Sequence, residues 1–177
     1  SRIYINLYME KPKDNEVMRT EFFGEFLIED QRLMNSGAWD YKDPNLKLNQ
    51  MKDSIEQMNE GDLSREQLTA RNNALWLWHH HAAQEAYFSL KDAETARKFI
   101  KKAMDYQQKG AIRNQITPLL DLLFSGRLAE AKSFVQSLPD ELEYGEESGG
   151  IEKVKNYEKE SALNLVARFE RDAARSA

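Results

Sequence analysis

The chain has 177 residues, of which 41% are hydrophobic and 31% charged, and it contains no cysteine. This composition excludes disordered, collagen-like and disulfide-framework chains, and it excludes thiol catalysis. Lysine and arginine number 25 against 30 aspartates and glutamates, and the resulting net charge of −5 argues against nucleic acid or anionic lipid as partners. The longest apolar run, Ala74 to Trp78, is too short to cross a membrane, and no signal-peptide pattern begins the chain. We expect a soluble protein, and we predict a cytoplasmic location and no cofactor.

The chain begins with a strand-like stretch and continues into a helix. Ile3 to Tyr8 alternates apolar and polar residues, and because a single short strand cannot form a sheet we expect 1–13 to be an extended arm. Between Asp14 and Met34 apolar side chains recur at spacings of three and four opposite a row of glutamates, which predicts an amphipathic helix. Gly37 supplies the left-handed residue that typically ends such a helix.

Two further helices are predicted before residue 90. Asp43 followed by Pro44 is typical of a helix start, so we expect a second helix that stops at Gly61. A capping-box pattern that begins at Ser64 predicts a third, long helix to about Leu90. The second half of this helix is apolar on nearly all sides, which predicts that other helices surround it.

The second half of the chain continues the helical pattern, with one interruption. Helices are predicted from Asp92 through Met104, from Thr117 to Gly126 and from Leu128 to Leu138. Residues 139–150 are rich in acidic residues and glycine, which predicts a flexible acidic loop, and the last helix is predicted from Ile151 onward. The fold class predicted is therefore all-α, with about seven helices in a single domain over 1–177, arranged as stacked antiparallel hairpins or an orthogonal bundle.

An internal similarity lies in the middle of the chain. Residues 86–104 contain a small residue, an aromatic pair, a turn, an alanine, an aromatic residue and a second alanine, and 122–135 carry a weaker version of the same pattern. Ala96 and Ala131 are 35 positions apart, close to the period of about 34 in tetratricopeptide repeats. Both segments resemble that family. The resemblance implies stacked helical hairpins that bind a protein or peptide partner.

The two segments also differ from the tetratricopeptide pattern at identifiable positions. His80 stands where the first helix of the repeat carries a large apolar residue, and Gln84 where it carries a small one. Lys91 replaces the turn glycine that Gly126 supplies in the second segment. We interpret His80 and Gln84 as candidates for partner contact, in a groove formed near the third to fifth helices.

Histidine chemistry is confined to His79, His80 and His81. His81 and Glu85, one helical turn apart, could share a metal ion, but two ligands are too few and no metal-binding motif completes them. We therefore predict no metal, and we expect one histidine to be packed and hydrogen-bonded while its neighbours meet solvent or a groove, which would give a modest pH dependence. The alternative is a metal-dependent helical enzyme that uses His80, His81 and Glu85.

Aromatic and acidic residues supply the remaining candidates. Trp39 and Tyr41 follow Gly37 in a loop, where exposed aromatics commonly anchor a partner; the alternative is that Trp39 folds back as a lid over the first and third helices. The acidic segment 139–150 could engage a basic partner, or it could be a solvated loop. The candidate partner-binding residues are Trp39, Tyr41, His80, Gln84, Glu143, Glu146 and Glu147.

No arrangement of residues typical of catalysis is present. Phosphate-binding glycine loops and nucleophile motifs are both missing from the chain. Our first hypothesis is therefore a non-catalytic module that binds a partner protein or peptide through a helical groove. The second is a small acidic immunity-type protein that occludes a toxin or a basic enzyme, and the metal-dependent enzyme is the third.

Overall fold

The computed structural model describes the backbone of residues 12–147 and 149–176 and the side chains of 20–147 and 149–176. The predicted strand-like stretch Ile3–Tyr8 lies outside the described residues, and the predicted arm is wrong at its end because Pro12 and Lys13 belong to the first helix. Over the described residues the chain forms seven α-helices and one pair of short strands, which confirms the all-α fold class. In this part of the chain no helix is long and apolar enough to span a membrane.

The helices and strands follow one another with short connections. The helices are α1 (Pro12–Ser36), α2 (Lys47–Glu56), α3 (Arg65–Gln84), α4 (Ala93–Gln108), α5 (Ile116–Phe124), α6 (Leu128–Ser137) and α7 (Tyr157–Ser176), and the strands are β1 (Glu141–Gly145) and β2 (Ile151–Lys155). A 3-10 turn, Glu60–Asp62, precedes α3, and a π-helical turn, Glu85–Ser89, extends it.

The chain divides into two compact units, an N-terminal unit, Ser1–Arg113, and a C-terminal unit, Asn114–Ala177. This division is finer than the single domain predicted over 1–177. The N-terminal unit contains α1 to α4, and the C-terminal unit contains α5 to α7 with both strands.

The core of the N-terminal unit is built around α3. Phe22 and Phe26 on α1, Met51 on α2, Leu75 on α3 and Ala103 on α4 are all buried in one cluster. Helices α1, α2 and α4 all contact α3. The sequence predicted these contacts, because the second half of α3 is apolar on nearly all sides. Because three helices cover it, α3 can bury side chains on nearly every side, polar ones included.

The ends of α3 and α4 follow their capping signals. Ser64 accepts a hydrogen bond from the backbone N–H of Gln67, and the Gln67 side chain accepts one from the N–H of Ser64, which confirms the predicted capping box. Asp92 accepts a hydrogen bond from the N–H of Thr95 and caps α4 as predicted. Each cap satisfies a backbone donor that the first helical turn leaves without a partner.

The predicted start of the second helix is wrong. The carboxylate of Asp43 accepts the N–H of Asn45 in a local turn, and α2 begins only at Lys47. An aspartate that bonds the backbone two residues on favours a turn over a helix. The far end is also wrong: α2 ends at Glu56, and Gly61 lies inside the 3-10 turn, where Asn59 binds its N–H.

The C-terminal unit is a three-helix arrangement with a hairpin inserted before its last helix. Each of α5, α6 and α7 packs against the other two. Their buried side chains form one cluster of aliphatic residues: Leu119, Leu123, Ala131, Val135, Ala162 and Val166. Bulky residues on α5 therefore face small and β-branched ones on α6 and α7.

The segment 139–150, predicted as a flexible loop, contains strand β1, so this prediction is wrong. β1 pairs with β2 in an antiparallel hairpin in which Glu143 lies opposite Lys153 and Leu142 opposite Val154. The last helix consequently starts at Tyr157 rather than at Ile151, with the Asn156 side chain accepting the N–H of Lys159. Oppositely charged residues that face each other on paired strands stabilise such a hairpin. This pairing cannot be recognised from the sequence of either strand alone.

The two segments that resemble a repeat have similar turns. Lys91, before the α4 cap, has φ +56°, and Gly126, before the start of α6, has φ +74°. Ala96 and Ala131 are both fully buried on the helices that follow. These likenesses concern each hairpin by itself, and the tetratricopeptide-like repeat stays a prediction.

Candidate functional site

Trp39 is buried, with 6% of its surface exposed, and this contradicts its predicted exposure in the loop. Its indole Nε1 donates a hydrogen bond to Oδ1 of Asp30 on α1 at 2.9 Å, and its ring packs 5.8 Å from that of Trp78 on α3. The alternative interpretation, a lid over the first and third helices, agrees with this geometry. The indole N–H is satisfied by a buried carboxylate, so in this conformation it has no proton to offer a partner.

The rest of the loop is held in place by Asn49. Its side-chain amide donates to the backbone oxygens of Asp40 and Asp43, at 2.8 and 2.7 Å, and accepts the indole N–H of Trp78 at 2.9 Å. Tyr41 is half-buried, with its ring edge-on to Phe99 at 4.9 Å. Burial, together with nearby carboxylates, raises the pKa of Tyr41. Both loop aromatics therefore contribute to the core of the N-terminal unit.

Two of the three histidines are core residues. Nδ1 of His79 lies 2.7 Å from the backbone oxygen of Leu75, and burial lowers the pKa of His79 to about 4. His80 stacks on Trp76 at 5.2 Å, and burial, with a smaller contribution from His81, lowers the pKa of His80 to about 3. Both rings are therefore neutral near pH 7, and His80 is not accessible as a partner contact in this conformation.

His81 differs from its neighbours because it faces a carboxylate. Its Nδ1 lies 2.9 Å from Oδ1 of Asp30, the same oxygen that accepts the Trp39 indole N–H. Asp30 is buried and His81 partly exposed. A carboxylate at Nδ1 orients the imidazole and leaves Nε2 on its opposite edge, an arrangement that also occurs in acid–base sites.

The His81–Glu85 pair of the alternative metal hypothesis is not assembled. The Glu85 carboxylate accepts a hydrogen bond from the Ser89 hydroxyl at 3.1 Å, whereas His81 is directed to Asp30. Within 20–147 and 149–176, no three histidine, aspartate or glutamate side chains are grouped closely enough to hold a metal ion. Through the contacts of Asp30 with His81 and Trp39, the loop is connected to α1 and α3.

The acidic candidates lie on the hairpin, where lysines lie close to one of them, Glu143, and to the neighbouring Asp140. The carboxylate of Asp140 accepts a hydrogen bond from the Lys159 ammonium at 2.7 Å, which lowers the pKa of Asp140. Glu143 lies 4.0 Å from the ammonium of Lys153. Glu146 and Glu147 are exposed at the turn. These lysines reduce the negative charge that the acidic segment presents to a basic partner.

The predicted partner-binding residues are divided between the two units. Trp39, Tyr41, His80 and Gln84 belong to the N-terminal unit, where they are buried or half-buried. The three glutamates Glu143, Glu146 and Glu147 belong to the hairpin of the C-terminal unit.

A groove between α6 and α7 exposes apolar surface beside a concave floor. Val135 on α6 and Val166 on α7 form its floor, and Leu163 and Ala167 form the α7 side of its rim. Leu163 is 49% exposed although it is a large apolar residue. The ion pair between Lys132 and Glu170, 3.1 Å apart, also lines this groove of about 360 Å³, which we call the α6–α7 groove.

The sequence contained a signal for this groove that was missed. Ala162, Val166 and Phe169 form the apolar stripe that α7 directs into its own core, and Leu163 stands about 100° away from Ala162 around the helix. An apolar residue beside a complete core stripe widens the apolar surface beyond what intrachain packing uses.

The chain matches no protein-family model, no curated protein and no solved structure.

Proposed function

We propose that the chain is a non-catalytic interaction module that binds a helical segment of a partner protein in the α6–α7 groove. The observation that supports this most directly is Leu163, half-exposed beside a floor formed by Val135 and Val166. Apolar side chains clustered at a concave surface are typical of partner contacts, because covering them removes apolar area from water.

The dimensions of the groove suit an α-helix. Two packed helices leave a groove along their line of contact, and a third helix can lie in it at the usual interaxial distance of about 8–10 Å. α6 has 10 residues and therefore extends about 15 Å, which is long enough to contact three turns of a bound helix. Such a helix would place apolar side chains at spacings of three and four on Leu163, Val135 and Ala167.

The resemblance to tetratricopeptide repeats supports the same proposal from the sequence. That family uses surfaces between packed helices to bind peptides, and most of α6 lies in the second of the two resembling segments. The hairpin ion pairs, by contrast, leave the acidic inhibitor hypothesis with less surface charge than its sequence suggested.

The proposal is tested with helical peptides and the full chain. The probe is a fluorescent amphipathic peptide of about twenty residues with leucines at spacings of three and four and glutamines elsewhere. We expect Leu163→Ser to weaken its binding about tenfold, the usual effect of removing a central apolar contact. The matched control is Leu27→Ser on α1, which removes a leucine of nearly equal exposure, 46%, from the N-terminal unit.

Methyl NMR locates the bound peptide. We expect shifts at Val135, Leu163 and Val166, and none at Leu27. The groove is not the binding site if neither this peptide nor versions of it with glutamates or lysines at one end bind the chain. The same conclusion follows if only the Leu27→Ser variant loses affinity.

A further inference from the structure

The rim of the α6–α7 groove continues along α7 into two arginines. Leu163, Ala167, Arg171 and Arg175 are spaced four residues apart, so they form one slanted ridge that moves about 40° around the helix at each step. The first two line the groove. The last two are exposed, and Arg171 lies about 12 Å along the helix axis from Leu163.

Arg171 and Arg175 have no carboxylate partner among the residues that the structure describes. Three other arginines do have one: Arg32 binds Glu29, Arg71 binds Glu60 and Arg127 binds Glu130. These two guanidinium groups therefore present positive charge at the end of an apolar rim.

The nearest acidic residue of the groove does not neutralise them. The Glu170 carboxylate is bound by the Lys132 ammonium at 3.1 Å. Glu170 and Arg171 are also adjacent in sequence, so their side chains leave the helix about 100° apart. The positive charge of Arg171 is therefore available on the side of α7 that continues from Ala167.

We propose that the helical segment bound in the α6–α7 groove is acidic at one end: its apolar residues cover Leu163 and Ala167, and its carboxylates bind Arg171 and Arg175. This inference rests on the proposed function and adds the charge of the partner. It replaces the basic partner that the acidic segment 139–150 suggested. Planar guanidinium groups bind carboxylates through paired hydrogen bonds, so two of them one turn apart select for acidic side chains at matching spacing.

The test compares three peptides that share one leucine pattern. Two turns at one end carry glutamates in the first peptide, glutamines in the second and lysines in the third. Fluorescence anisotropy with the full chain measures their affinities. We expect the glutamate peptide to bind about tenfold more tightly than the glutamine peptide, with the difference shrinking as salt is added.

The charge-reversed variant Arg171→Glu/Arg175→Glu supplies the reciprocal measurement. We expect it to lose the preference for the glutamate peptide and to bind the lysine peptide better than the unmodified chain does, with the glutamine peptide changing least of the three. The matched control is Arg65→Glu/Lys101→Glu, which makes the same change in net charge at two exposed residues of the N-terminal unit. It should leave all three affinities as they were.

The outcomes separate this inference from the proposed function. If all three peptides bind equally and Leu163→Ser weakens each, the groove binds helices but the acidic partner is wrong. If binding follows the control pair as closely as the arginine pair, net charge and not the ridge is responsible, and the inference fails. Sedimentation with phosphatidylserine vesicles that depends on Arg171 and Arg175, without preference among the peptides, would assign the ridge to a lipid surface.

Discussion

Lys91 adopts the same left-handed backbone conformation as Gly126, although lysine has a Cβ atom and glycine does not. The φ angles are +56° and +74°, and each residue directly precedes the start of the second helix of its hairpin. A side chain in this region costs about 1–2 kcal/mol relative to the right-handed region. Lys91 therefore holds a strained turn where the tetratricopeptide pattern has glycine.

We expect Lys91→Gly to stabilise the protein by about 0.5–1 kcal/mol, because relief of strain exceeds the greater entropy of glycine in the unfolded chain. The measurement is urea denaturation of the full chain. The reverse change, Gly126→Ala, should destabilise it by about 1 kcal/mol; an added Cβ would meet no atom within 4 Å, so backbone strain alone is measured. Opposite signs at either position would show that the turns are not strained in this way.

Acid should weaken the fold through His79. The pKa of His79 is about 4 in the folded chain and 6.5 in a solvated one, because burial disfavours the charged imidazole. Below pH 6.5 the unfolded chain takes up a proton that the folded chain does not. The contribution of neutral His79 to stability is therefore fully present above pH 6.5. The free energy of unfolding falls by up to about 1.4 kcal/mol per pH unit as the pH drops toward 4.

The variant His79→Asn removes this titration while its amide can still donate to the backbone oxygen of Leu75. We expect the stability difference between pH 7 and pH 4.5 to shrink by about 2–3 kcal/mol relative to the unmodified chain. His80 is present in both proteins, so its own contribution cancels. Parallel stability curves for the two proteins would contradict the assignment to His79.

The bond from Trp39 to Asp30 should be worth measurable stability. Trp39→Phe keeps an aromatic ring but removes the donor at 2.9 Å from a buried carboxylate oxygen, and we expect a loss of about 2 kcal/mol. The matched control is Tyr41→Phe, which removes a hydroxyl with no hydrogen bond to the residues the structure describes and should change stability by less than about 0.5 kcal/mol. Equal effects of the two changes would indicate that the Asp30 bond contributes nothing.

The β-hairpin should respond to charge reversal in a manner that a flexible loop would not. Lys153→Glu places two glutamates opposite each other on paired strands and should destabilise the hairpin by about 0.5 kcal/mol. The double variant Glu143→Lys/Lys153→Glu restores opposite charges and should recover most of the loss. Hydrogen exchange at the Glu146 amide, which donates to the Gly150 oxygen at 2.8 Å, reports on the hairpin. Exchange at an unprotected rate in all three proteins would contradict the pairing.

The helices were predictable because their signals are local. Apolar residues at helical spacing and the caps at Ser64 and Asp92 act within a turn or two of the chain, so the sequence by itself determined α3 and α4 closely. The predicted helix start at Asp43 is wrong because an aspartate carboxylate can either cap a helix or accept the N–H two residues on. Here the turn to Asn45 forms instead of the helix cap.

Only the tertiary structure decided the candidate site. Trp39 is buried because folding places the carboxylate of Asp30 against its indole, and β1 forms because it pairs with β2 across a turn. The ridge from Leu163 to Arg175 could be read from its spacing of four. Whether its leucine is covered and its arginines are neutralised depends on α6 and on which carboxylates pack nearby, and these are properties of neighbours in space rather than along the chain.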